Sequence, residues 1–92
     1  MDNKRLAQDA QRMRFKCKDS IDIPNHSLVR RLDIEFRQLE NEAKAQKSPA
    51  SLRSRLQNLG RMIDDADREE VISHMDHDVL RDWVEDCLRV IR

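Results

Sequence analysis

The chain has one glycine, two prolines, no tyrosine and only three other aromatic residues, Phe15, Phe36 and Trp83. Strands and hairpins draw on aromatic, β-branched and turn-forming residues, so this composition argues against a β-sandwich or barrel. The shortage of glycine also leaves no phosphate-cradling loop, and no Ser, Cys or His stands in the glycine-flanked turn of a nucleophile. No run approaches the ~20 apolar residues that span a bilayer. The opening MDNKRLAQDAQR has no apolar core of the signal-peptide kind. Net charge is absent too, because eighteen basic and eighteen acidic residues cancel. That argues against nucleic-acid binding driven by overall charge.

What remains is rich in Leu, Arg, Glu, Gln and Ala, residues that suit helices. At 92 residues the chain is expected to form a single helical domain over 1–92. A chain of this size buries roughly 60–65 % of its unfolded surface, so a deep substrate cavity is not expected. The charges are unevenly spread, with residues 1–18 and 45–62 each netting +4 and residues 63–80 netting −6. Cys17 and Cys87 lie far apart and outside any C-x-x-C motif, which reads as two reduced thiols in a cytoplasmic protein. Each falls on an apolar helical face, where a thiol acts as a small hydrophobe.

Leu6, Ala10, Met13 and Cys17 recur at helical spacing, and Asp2 or Asn3 can cap that segment. Pro24 in DSIDIPN then breaks the pattern, which ends the first helix near Lys18. Asn25 or Ser27 can cap a second helix that carries Leu28, Leu32, Phe36, Leu39 and Ala43 to about Gln46. Ser48 and Pro49 supply a clear restart for a third, with Leu52, Leu56, Leu59 and Ile63 on one face. Gly60 either weakens that helix or lets a neighbour approach closely. Asp64, Asp65 and Asp67 read as caps of a short fourth helix reaching about Met75. Asp76 or Asp78 would start a fifth, which buries Leu80, Trp83, Val84, Cys87, Leu88 and Ile91. The expected fold is all-α, a compact bundle of four to five short helices.

Glu70, His74 and His77 have the i, i+3/i+4 spacing of helix-borne metal ligands if one helix runs through them. Because Asp76 and Asp78 look like a break between two helices, these histidines are expected to be solvated polar residues at a junction. No metal, no cofactor and no catalytic residue is expected.

Two large apolar residues, Phe15 and Ile34, fall outside their helical stripes, and a small core cannot easily cover both. They therefore point to a partner, another protein or a second copy of the chain, with Arg5, Arg12, Arg14 and Lys16 at the rim. The expected function is a non-enzymatic regulatory or assembly module that binds through its first two helices. The alternative is a nucleic-acid-binding regulator using Lys4 and Lys18 of the first helix with Arg53, Arg55 and Arg61 of the third.

The stretch REEVISHMDHDVLRDWVEDCL resembles the second half of helix-turn-helix regulators, which implies a DNA-reading helix near the C-terminus. No glycine marks the turn, however, and Asp78, Asp82, Glu85 and Asp86 would meet the phosphates with like charge.

Overall fold

The computed structural model describes residues 2–91, which form four helices: α1 (Asn3–Asp19), α2 (Ser27–Lys44), α3 (Pro49–Arg68) and α4 (His74–Val90). Each begins on a side chain that accepts an orphan backbone N–H. Asp2 accepts from the N–H of Arg5 at 2.7 Å and Ser48 from Ser51 at 3.2 Å. Ser73 accepts from Asp76 at 3.2 Å and returns its hydroxyl proton to the Asp76 carboxylate. At α2 the cap is neither Asn25 nor Ser27. His26 takes the position, its Nδ1 accepting from the N–H of Leu28 at 3.1 Å.

Among the described residues the short fourth helix expected between the acidic run and about Met75 is absent, and the helix expected after it is α4. α3 continues for 20 residues to Arg68, so Asp64, Asp65 and Asp67 lie inside its last turns rather than capping a successor. The periodicity explains why, since Ala66 follows Leu59 and Ile63 on the buried face and carries the stripe through the acidic run. Residues 69–73 are a loop that leads into the single long helix α4, on which Asp78, Asp82, Glu85 and Asp86 are all exposed.

α2 and α3 both terminate in Schellman turns. The N–H of Lys47 reaches the carbonyl of Glu42 and that of Gln46 reaches Ala43; Val71 and Glu70 repeat this on Ala66 and Asp67. The residue at the left-handed position is Gln46 in one (φ 55°) and Glu70 in the other (φ 60°), where glycine is usual.

The helices contact one another in cyclic order, α1 on α2, α2 on α3, α3 on α4 and, least extensively, α4 on α1. α1 and α3 therefore lie diagonally across the bundle. The apolar stripes meet in one cluster around Phe36 and Trp83, whose rings stack across the centre at 6.3 Å. The radius of gyration, 12.3 Å, is that of a close-packed chain of this length. At one end the two interhelix loops are tied together. The N–H of Asp22 donates to the carbonyl of Val71 at 2.7 Å, and Ile21 and Ile72 form an antiparallel bridge. Among the described residues no helix is long and apolar enough to cross a membrane.

Two buried carboxylates on α2 attach it to its neighbours. Glu40 accepts from Arg14 Nε of α1 at 2.8 Å, and Asp33 stands 3.7 Å from the same guanidinium. On the other flank Arg55 of α3 pairs with Glu35 at 2.9 Å and Glu42 at 3.0 Å. At the far end of the bundle Arg53 donates to the carbonyls of Leu88 and Ile91, closing the C-terminus of α4.

Arg14→Ala would leave Glu40 buried and unpaired, and is expected to cost about 3 kcal/mol in denaturant unfolding, whereas Arg14→Met combined with Glu40→Leu should be nearly neutral. Gln46→Gly and Glu70→Gly, which relieve left-handed strain, are each expected to raise stability by about 0.5–1 kcal/mol in the same assay.

Candidate functional site

Phe15 and Ile34 stand on the outer faces of adjacent helices, 50 % and 42 % exposed. They lie at similar heights, because Arg14 beside Phe15 pairs with Asp33 beside Ile34. The Arg14 guanidinium lies 4.8 Å from the centroid of the Phe15 ring, which braces it by a cation–π contact. Arg14 itself is committed inward to Glu40, so it serves as a tether for the patch rather than as a rim residue. Arg5 and Arg12 are exposed, Arg12 alongside Asp9 at 3.1 Å, and Lys16 reaches toward Asp76 of α4 at 3.8 Å. The rim around Ile34 includes two arginines that sequence reasoning missed. Arg30 and Arg31 are exposed one helical turn from Ile34, and neither has an ion-pair partner among the described residues. Their signal was the i−4 and i−3 spacing to Ile34.

The proposed basic patch of the first and third helices does not assemble. Lys4 and Lys18 are exposed on α1 and Arg61 on α3, but those helices are diagonal to each other. Arg53 and Arg55 are spent on the α4 carbonyls and the α2 carboxylates. Sequence spacing cannot reveal this, because it says nothing of which helices are neighbours.

A second cluster forms where α3 meets α4. With α4 starting at His74, the two histidines occupy its first turn, their rings stacked 5.7 Å apart. The helix break expected between them is absent. Glu70 is not part of the group, since it occupies the left-handed turn position and is exposed. Its place is taken by Asp67, whose Oδ2 lies 3.1 Å from His74 Nδ1 and 3.9 Å from His77 Nδ1. His77 is the better-buried histidine. Its Nε2 is 2.8 Å from Asp64 Oδ1 and its Nδ1 is 2.9 Å from Asp78 Oδ1. Asp64 also accepts from Arg81 Nε at 3.2 Å. Gly60 makes room for that arginine, because a Cβ there would overlap the Arg81 guanidinium. Of the two readings of Gly60, close approach is the correct one.

Both cysteines are free and buried. Burial, with help from Asp33 and Asp76, pushes the Cys17 thiol up to about 11, and burial with the charge of Asp9 pushes Cys87 up to about 12. Both shifts disfavour the thiolate, the nucleophilic form of cysteine. No protein-family model matches the chain, and no curated protein or solved structure shows significant similarity to it.

Burial of the His77 ring favours its neutral form, but the hydrogen bonds to Asp64 and Asp78 and the charges of Asp67 and Asp64 outweigh this, so its pKa lies above the ordinary 6.5. A raised folded-state value contributes stability that is fully present below the unfolded pKa and lost as pH rises through the folded one. In chelator-treated buffer, the melting temperatures of the chain and of His77→Gln should therefore differ most below about pH 6 and converge as the solution becomes alkaline. A gap that stays constant with pH would assign His77 a packing role alone.

Proposed function

We propose that the chain is a non-enzymatic interaction module, regulatory or assembly in character, that binds another protein through the outer face of α1 and α2. The observation that carries this reading is the pair Phe15 and Ile34, two large apolar side chains half exposed on neighbouring helices, each next in sequence to a member of the Arg14–Asp33 contact. Binding would bury both, with Arg5, Arg12, Arg30 and Arg31 pairing to carboxylates around them. Arg14 supports the patch from below by holding α1 to α2 and stiffening the Phe15 ring. A second copy of the chain is one such partner.

The nucleic-acid alternative has less support, because two of its five residues, Arg53 and Arg55, are engaged within the bundle. The two readings differ in salt dependence. Phosphate contacts release counterions and weaken steeply with salt, whereas apolar burial does not.

Light scattering of the purified chain over a range of concentrations and at two salt levels tests self-association first. Affinity capture with the chain and with a Phe15→Ala, Ile34→Ala double variant then tests other partners. Salt-resistant association that weakens about tenfold or more in the double variant, while its melting temperature stays close to the parent's, is the expected outcome. Capture of nucleic acid that salt releases, with no effect of the double substitution, would overturn the proposal in favour of the alternative.

A further inference from the structure

Asp67 sits in the last turn of α3 and His74 and His77 in the first turn of α4, so the five-residue loop between the helices brings three donors to one corner. One ligand atom from each lies within 4.8 Å of the other two. Donors bound tetrahedrally to a single ion at about 2.1 Å stand about 3.4 Å apart, so the group needs a contraction of little more than 1 Å. The His74 side chain, 77 % exposed, can supply it by rotation. Asp78 stands beside the group, with Oδ1 2.9 Å from His77 Nδ1, but its other oxygen faces Nε2 of His74, the ring nitrogen opposite the one that meets Asp67.

The layer behind the donors separates this corner from a chance grouping of surface charges. His77 is only 15 % exposed at its side chain, and its far nitrogen, Nε2, is held by Asp64 at 2.8 Å. Asp64 is held in turn by Arg81, which lies against α3 because Gly60 has no side chain. A carboxylate on the distal nitrogen is the support that orients a ligating imidazole and raises its basicity. With Nε2 turned to Asp64, Nδ1 is the nitrogen that faces Asp67 and Asp78.

We infer that this corner binds one divalent first-row transition-metal ion of borderline softness, zinc(II) being the representative, through Asp67, His74 and His77, with water completing the shell. Two imidazoles with a carboxylate suit zinc, nickel or copper, whereas calcium and magnesium prefer oxygen donors throughout. The bound ion clamps the end of α3 to the start of α4 and thereby fixes the loop that also pairs with residues 21–22. This site is separate from the α1–α2 face, and neither reading depends on the other.

The test is calorimetric titration of tag-free, chelator-stripped protein with zinc chloride, repeated with calcium chloride, together with the visible spectrum of the cobalt(II) complex. One equivalent of zinc should bind and raise the melting temperature, with calcium much weaker. His74→Ala and Asp67→Asn should each weaken zinc binding at least tenfold while leaving helical circular dichroism intact. Asp64→Asn, which touches no ion, should weaken it by about tenfold to a hundredfold through loss of the distal hydrogen bond. The cobalt complex should show the intense d–d bands of a four- or five-coordinate site, and these should be lost in His74→Ala. Absence of zinc binding at micromolar metal would overturn the inference, as would binding that is unaffected by His74→Ala and Asp67→Asn.

Discussion

Glu35 and Glu40 are five residues apart on α2 and so point to opposite flanks of the helix, about 140° apart. Both are buried, at 7 % and 5 % exposure, and each is met there by an arginine from a different neighbour, Arg55 of α3 and Arg14 of α1. A carboxylate left unpaired at such a position costs several kcal/mol. Any packing that rotates α2 away from these arginines strands both charges. The hydrophobic stripes supply most of the driving force for collapse, but leucines on four helices tolerate more than one arrangement. The two arginine clamps discriminate among those arrangements.

Each arginine spans acids seven residues apart, Asp33 with Glu40 on one flank and Glu35 with Glu42 on the other. Two turns of helix separate the members of each pair, so the contacts set the axial register of α1 and α3 as well as their identity. With register set, the loops at residues 20–26 and 69–73 meet at the same end and join through Asp22 and Val71. That junction stands beside the corner where α3 hands over to α4, which is how Asp64 and Asp67 come to face His74 and His77. The Schellman turn at Glu70 completes the geometry by reversing the chain within five residues.

The clamps also reshape the surface. A chain with eighteen basic residues looks well supplied for recognition, yet Arg14, Arg53, Arg55 and Arg81 are all committed to groups within the bundle. Of the cations left outward on α2, Arg30 and Arg31 lie within one helical turn of Ile34. Charge in this protein thus divides into an inner set that joins the helices and an outer set turned to solvent. The inner set has good geometry and low exposure, and the outer set is screened by solvent.

The sequence by itself determined the all-α class, the core and most helix boundaries, because these follow from local rules. Leu28, Leu32, Phe36, Leu39 and Ala43 lie on one face by spacing alone, and Ser48-Pro49 starts a helix wherever it is placed. It also marked Phe15 and Ile34 as residues outside the apolar stripes, and both are exposed. It misjudged the segment from Asp64 to Asp78, where acidic residues are good caps and tolerable interior residues alike. Only the buried stripe through Ala66 and the turn at Glu70 decide between a break and a continuation. Tertiary structure alone decided which helices are neighbours. It therefore decided that Arg14 and Arg55 are structural, that α1 and α3 share no face, and that Asp67 joins His74 and His77 across a loop. Periodicity reports the direction of a side chain around its own helix; what stands opposite depends on how separate helices pack, and no local pattern carries that information.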